Sequence, residues 1–598
     1  MRRLLVTSAL IAAAGGAAWA QMTTAQGPPS RDTRVAASGP AEISGVITTG
    51  EDTPQPVRRA QVCAIAAGSP PRTAHTDADG RFVFRNLPIG RYTIEASKPG
   101  FVRTAYGARR YDRPGTPVTL TDIQRTQALQ IRMPRGAVIT GRIVDEFGQP
   151  AQGARVRAQQ VRTVNGERTL SDVPMAGALM GETADDRGIY RLYGLPAGEY
   201  VVSATPRSTG PGDIRRLLES EIRAAEQAVQ QPGSPLEPAG PPVTLGFAPV
   251  FYPGVLNAAT AGAVTVKSGD ERQGVDFAVQ FVRTATVEGT VVTSGAVRPE
   301  AVQLLMVPRQ TGSAPGGPNV TFSIASASRR VGPDGRFSLT GITPGAYTVT
   351  ARANDAGGAP LWASADVDVD GQPVSGLSLV MQEGLTVSGQ LAFDADGVDP
   401  PDVFTRARLS LMPADGNMSI MMGGNATQFT STGGVTIKGI TPGRYRLNGS
   451  FNTPEANWIL KSAIIKGKDV LDLPFEVTPG DAITDAVFTF TNRTQELTGT
   501  LEDASKRPAP DYTVVVFPAD KALWNATRRV RSTRPGTDGT FSFANLPAGA
   551  YRIAAVVDIG PEELRDQALL EELLAASVAF TIADGEKKVQ NLRIASGG

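Results

Sequence analysis

Apolar and polar residues alternate with a period of two along most of this chain, and Gly, Pro and Asp break the alternation every few residues. The stretch Thr76–Ala96 shows the pattern most fully: Gly80, Phe82 and Phe84, then Leu87, Gly90 and Tyr92, then Ile94 and Ala96. The frame returns at Thr183–Ala204, Gly332–Ala351, Thr432–Gly449 and Thr537–Ala555. Its closing Gly and Tyr are Gly90 and Tyr92, Gly198 and Tyr200, Gly345 and Tyr347, Gly443 and Tyr445, and Gly549 and Tyr551, each Gly ten residues after the first Gly of its copy. A fixed internal spacing of this kind marks a structural repeat. The apolar partners of each Tyr lie two and four residues on, on the same face of a strand. The frame therefore predicts a tyrosine corner, with the ring in the core and the hydroxyl on turn backbone. The competing reading is a row of exposed aromatics for ligand stacking.

Around each copy the alternation predicts further short strands. Each unit opens with a strand that carries a glycine: Gly45, Gly141, Gly289, Gly389 and Gly499, spaced 96, 148, 100 and 110 residues apart. A second strand follows (Val62/Ala64, Val156/Ala158, Val302/Leu304, Leu409/Leu411, Val514/Val516), then the repeated stretch, then two closing strands. One buried and one wet face is the pattern of antiparallel sheets, and roughly seven strands per ~100 residues is the density of an immunoglobulin-like sandwich. The expected fold is all-β: five tandem antiparallel β-sandwiches at residues 41–134, 135–283, 284–383, 384–493 and 494–598. Two stretches switch to helical spacing. Asp213–Gln230 carries Ile214, Leu217, Leu218, Ile222, Ala225 and Val229 on one stripe, and Pro561–Ser577 carries Leu564, Leu570, Leu573 and Leu574 behind Glu562 and Glu563. Both inserts cap a sandwich end or serve as partner-binding helices.

Composition changes the picture mainly at the ends. Met1–Ala20 has Arg2 and Arg3, an apolar run Leu4–Ala14 and an Ala18-Trp19-Ala20 site, the layout of a secretory signal, and its apolar run is too short to span a membrane. Residues 21–40 form a polar leader. No later stretch has 18 uninterrupted apolar residues, so the mature chain is expected to carry no transmembrane segment and to be periplasmic or secreted. With 20% charged residues and a net charge of +1, the chain lacks the basic stripe that nucleic acid requires. Cys63 is the single cysteine, either a small buried hydrophobe or an unpaired thiol able to dimerise.

The frame D-G-x-F-x-F…L-P-x-G-x-Y, as in Asp79–Tyr92 and Asp538–Tyr551, resembles that of carboxypeptidase regulatory-like domains. Those are transthyretin-like sandwiches related to Cna B-type modules and grouped with carbohydrate-binding-like folds. The resemblance covers all five units and is weakest in the fourth, where Thr432-Gly433 and Val435 replace the acid and the aromatic. It implies an accessory domain and no catalytic activity of its own. Cna B-type modules can carry an internal Lys–Asn isopeptide, but the opening strands of the first three units contain no Lys.

Candidate chemistry is sparse. A zinc peptidase needs two His and a carboxylate or an equivalent set, and this chain has one His and one Cys. No G-x-S-x-G stretch accompanies His75, which is expected in the loop before a turn. Asp77-Ala78-Asp79-Gly80 and Asp185-Asp186 echo half a calcium loop, but turn chemistry explains them without a metal. Met418, Met421 and Met422 are either a soft-metal site or an apolar cap. For a ligand, the candidate is Trp524 with Arg528, Arg529 and Arg531, followed by Trp362 and Tyr252, with Trp458 expected in the core. The alternative for Trp524 is packing against its own sandwich by cation–π contact. No cofactor and no metal is expected. The resulting expectation is a non-enzymatic, exported binding or scaffold protein of the bacterial envelope whose partner is an envelope protein or polysaccharide. Its alternatives are a carbohydrate-binding protein using sandwich-end loops and, remotely, a hydrolase with an unrecognised site.

Overall fold

The computed structural model describes residues 38–164, 167–173, 182–206, 214–215, 244–293, 297–309, 331–355, 360–401, 404–414, 426–453, 457–560 and 563–594. It is almost entirely β-structure, with one α-helix among the described residues, Gln567–Ala576. Buried apolar side chains gather in five principal clusters, which span Ala41–Met133, Ala137–Val279, Ala285–Met381, Val387–Phe490 and Leu497–Leu592.

The first unit shows the common plan. Its opening strand Ala41–Thr49 lies between Arg81–Leu87 and Thr126–Met133 in one sheet. The facing sheet holds Arg72–His75, Gln61–Ile65, Gly90–Ser97 and Thr104–Ala105, with Val118–Leu120 also paired to Gly90–Ser97. In the first, second, third and fifth units the two strands of the repeated stretch belong to opposite sheets, and the Leu-Pro-x-Gly or Ile-Thr-Pro-Gly turn is where the chain crosses from one to the other. Phe82, Phe84, Tyr92 and Ile94 meet in the space between them, all buried.

The sequence pattern led to antiparallel pairing throughout, and here the structure corrects it. In every unit the opening strand runs parallel to a closing strand: Gly45 opposite Leu129, Ile143 opposite Phe277, Gly289 opposite Leu377, Gly389 opposite Ala486 and Leu501 opposite Leu592. Strand alternation reports which face is buried but not the direction of a partner far along the chain. The recurrent opening-strand glycine finds its reason in this pairing. A Cβ on Gly389 would lie 1.8 Å from the Ala486 carbonyl oxygen, closer than two such atoms can approach. Gly389→Ala is expected to force the two strands apart and destabilise the fourth unit by about 1–3 kcal/mol, read as a lowered midpoint in thermal unfolding. An unchanged midpoint would mean the close approach is relieved at no cost.

The fourth unit departs from two separate sheets. Asn457–Ile465 pairs with both Gly443–Asn452 and Ile483–Thr491, which joins its nine strands into one continuous sheet. A bulge between Leu460 and Ser462 bends that strand, and Phe393, Phe451, Trp458 and Phe490 pack in the bend. Trp458 is in the core, as expected. Of the two anticipated helices, the first begins instead with a short strand, Ile214–Arg215, paired to Thr244–Phe247, and residues 216–230 lie outside the described residues. The second is shorter than its pattern. Glu563–Arg565 is a 3-10 turn and the α-helix starts at the cap Asp566, whose carboxylate accepts from Ala568 N at 2.9 Å. Leu564 and Leu570 are buried beneath it. No helix among the described residues is long and apolar enough to cross a membrane.

Candidate functional site

The five repeated tyrosines form five corners of one geometry. Each hydroxyl donates to the backbone carbonyl four residues earlier: Tyr92 to Pro88 (2.8 Å), Tyr200 to Pro196 (2.8 Å), Tyr347 to Thr343 (2.9 Å), Tyr445 to Thr441 (2.8 Å) and Tyr551 to Pro547 (2.7 Å). All five rings are buried. The glycine two residues before each Tyr has φ between 152° and 159°, a region closed to side chains, which is why the turn keeps Gly90, Gly198, Gly345, Gly443 and Gly549. These aromatics are structural and present no stacking surface. The acids of the turns act likewise: Asp77 Oδ1 accepts from Asp79 N and Arg81 N, and Asp185 Oδ1 from Arg187 N and Ile189 N.

The candidate built on Trp524 does not form an exposed platform. Its indole is 3% exposed, donates from Nε1 to Pro518 O at 3.0 Å, and meets Phe517 edge-on beside Leu564 and Leu570. The cation over its ring is Lys521, at 5.4 Å, and none of the three arginines. Arg528 and Arg529 both close on Asp472 of the fourth unit, at 2.5 and 2.6 Å. Arg529 also reaches Ala548 O and the Tyr551 hydroxyl, while Arg531 donates to Ala544 O. The inserted helix covers the indole, and that cover is a long-range contact invisible in the local run Ala519–Ser532. Trp362 is half-buried with its Nε1 enclosed and without a partner among the described residues, and Tyr252 packs edge-on against Phe277. Met418, Met421 and Met422 lie outside the described residues. His75 is exposed at the end of strand Arg72–His75, opposite Gln61, and so stands in a strand where a loop was expected. Cys63 is a half-buried free thiol, its Sγ 3.7 Å from Thr73 Oγ1. Among the described residues no group of three or more His, Cys, Asp or Glu side chains could hold a metal ion.

The structure instead concentrates polar side chains at a place the sequence reading passed over. The loop after strand Thr104–Ala105 reads Gly107-Ala-Arg-Arg-Tyr-Asp-Arg-Pro-Gly115, and its base is tied by Tyr106 N to Ile94 O and Thr116 N to Tyr106 O. From it Arg113, 8% exposed, reaches the fifth unit, donating to Asp558 at 2.9 Å and Glu563 at 2.8 Å. In the opposite direction Arg534 of the fifth unit, 5% exposed, donates to Gly107 O at 2.7 Å and Pro114 O at 3.2 Å. Thr537 N to Pro117 O and Thr119 Oγ1 to Asp538 Oδ1 extend the seam. Burial opposes the charge on Arg113, but Glu563, Asp112 and Asp558 outweigh it and hold the guanidinium above its ordinary value. For Arg534 burial prevails and lowers it.

The same loop touches the second unit. The Tyr111 hydroxyl donates to Gln160 Oε1 and accepts from Arg162 at 2.9 Å, while Arg162 pairs with Asp112 Oδ2 at 3.5 Å. Between the first, second and fifth units these contacts leave a cavity of about 470 Å³ walled by Val102, Tyr111, Pro134, Gln160, Pro196 and Glu563. Its volume is that of a small-ligand site. One local signal was available: three Arg, a Tyr and an Asp packed into five residues bounded by Gly and Pro.

The architecture is that of a nearly all-β protein of repeated sandwiches. Residues 42–134, the first unit, match the family model of the carboxypeptidase regulatory-like domain. No curated protein matches the chain. Among solved structures, a streptococcal ancillary pilin is 13% identical over 57% of this chain and 99% of its own, with a TM-score of 0.21. The minor pilin GBS52 of Streptococcus agalactiae is 13% identical over 40% of this chain and 96% of its own, at 0.19. The major pilin subunit BcpA of Bacillus cereus is 10% identical over 77% and 99%, at 0.13. Scores and identities this low say nothing of what this chain binds.

Proposed function

We propose that this is an exported, non-enzymatic scaffold and binding protein of the bacterial envelope, built from five tandem sandwich domains bounded at 41–134, 135–283, 284–383, 384–493 and 494–598. The observation that carries the reading is the exchange of buried arginines between the first and fifth units. Arg113 and Arg534 each leave their own unit to bond the other, so two ends of the chain more than 400 residues apart are fastened together. A buried guanidinium is costly unless its donors are met. Arg113 meets carboxylates and Arg534 two carbonyls that only the closed arrangement supplies. Arg534 also bonds Pro510 O of its own unit, and its Nε has no partner among the described residues. Export is supported by the signal-like layout of Met1–Ala20, and the absence of catalysis by the single His and single Cys. The partner is an envelope protein or polysaccharide.

Small-angle scattering on the chain from Gln21 tests the closure. The double variant Arg113→Glu, Arg534→Glu places like charges against Glu563 and removes both locks, and its radius of gyration is expected to rise by several Å above a wild-type value of about 25 Å for a compact chain of this length. Indistinguishable scattering curves from the two proteins would refute the lock.

A further inference from the structure

The cavity between the first, second and fifth units has a hydrogen-bonding character that selects a class of ligand. Its charged lining balances: Arg110, Arg113 and Arg162 stand against Asp112, Glu563 and Asp566. Nearly all of these charges are already engaged with one another. Arg113 holds Glu563 and Asp558, Arg110 holds Asp558, and Arg162 holds Asp112. An anionic ligand would have to displace carboxylates from the arginines, and a cationic one would meet three guanidinium groups. What the lining leaves unused is a set of single donors and acceptors. Gln160 is 9% exposed and spends its Oε1 on Tyr111 and Arg162, while its Nε2 has no acceptor among the described residues. Asp566 caps its helix with one carboxylate oxygen, Oδ1. Between these polar groups lie the apolar surfaces of Val102, Pro134 and Pro196 and the ring of Tyr111.

We infer that this cavity binds a neutral, polyhydroxylated ligand of saccharide type. Hydroxyl groups both donate and accept, so one ligand satisfies the Gln160 amide and the second oxygen of the Asp566 carboxylate without disturbing any ion pair. Its C–H faces lie on Tyr111 and the two prolines. The volume of about 470 Å³ holds a short oligosaccharide rather than a polymer. Because three units supply the walls, the site exists only while the first and fifth units are locked. The inference thus rests on the binding reading above and couples ligand occupancy to closure.

The test uses the chain from Gln21 with cellobiose, maltotriose and N,N′-diacetylchitobiose as neutral probes, and glucose 6-phosphate and glucosamine as charged ones. Calorimetry and ligand-observed NMR read the binding. At least one neutral probe is expected to bind at millimolar affinity or tighter, and about tenfold better than the charged probes. Gln160→Leu and Asp566→Asn, the latter keeping a side-chain oxygen for the helix cap, are each expected to weaken that binding about tenfold. Ala197→Trp, at the exposed rim, is expected to abolish it with thermal unfolding unchanged, which keeps the test valid should a buried variant misfold. Failure of every neutral probe, equal binding of charged probes, or indifference to all three variants would overturn the inference. Scattering data that still show closure in those cases would leave the scaffold reading standing, whereas an open wild-type chain would remove both.

Discussion

Replacing Tyr445 by alanine is expected to destabilise the fourth unit by about 3–5 kcal/mol, the cost of emptying a buried aromatic site. The ring has no exposed surface and packs in the cluster that includes Phe451, Trp458 and Phe490. Its hydroxyl reaches Thr441 O at 2.8 Å and Thr441 Oγ1 at 2.9 Å. Tyr445→Phe keeps the ring and loses those bonds, so its cost is expected to be only about 0.5–1.5 kcal/mol. Hydrogen exchange followed by mass spectrometry suits the measurement, because it reports the opening of one unit in a chain of several. Alanine as mild as phenylalanine would show that the ring is not part of the core. Burial, the largest influence, raises the phenol above its ordinary value, with Thr441 acting in the opposite sense, so the corner stays neutral and independent of pH through the physiological range.

The second large effect concerns the joint between the fourth and fifth units. Asp472 is shielded and receives Arg528 and Arg529, whose side chains are 30% and 16% exposed. Arg528 continues to Leu460 O and Lys461 O. Asp472→Ala leaves two guanidinium groups facing each other with no carboxylate between them, and is expected to cost about 3–5 kcal/mol. Burial pushes the Asp472 carboxyl up, and the hydrogen bonds and charges of Arg528 and Arg529 overcome it and hold the group below its ordinary value. A carboxyl lowered by folding contributes stability that is complete above its unfolded value, about pH 3.9, and is lost as the pH falls through the folded one. Acid is therefore expected to loosen this joint in the wild type, and Asp472→Asn to lack that part of the acid dependence. Unfolding midpoints at neutral pH and near pH 3 give the comparison, and a parallel fall in both proteins would contradict it.

Legibility in the sequence followed the range of the interaction. The corner tyrosines, their glycines and the turn acids were all readable, because each acts within about five residues of itself: Tyr445 on Thr441, Asp77 on Asp79 and Arg81. Burial at Phe82, Phe84 and Ile94 was readable from alternation. Trp524 stayed open between an exposed platform and packing against its own sandwich, because its cover, Leu564 and Leu570, arrives some forty residues later. The helix start was misplaced for a related reason. Glu563 reads as a first-turn acid, yet its carboxylate is committed to Arg113 of the first unit and to Gly560 N, and Asp566 takes the cap.

By itself the sequence determined that this chain is a series of β-sandwich units sharing one corner, since period-two burial, positive-φ glycines and turn carboxylates are fixed by neighbours along the chain. Only the tertiary structure decided the parallel pairing of first and last strands, the continuous sheet of the fourth unit, and the exchange of Arg113 and Arg534. The first and last depend on partners 80 to 450 residues away, and the continuous sheet on a second pairing of Asn457–Ile465 with Ile483–Thr491 that alternation does not specify. Nothing in a residue's immediate context records such a partner, and a desolvated arginine becomes favourable only once the distant acceptors have arrived.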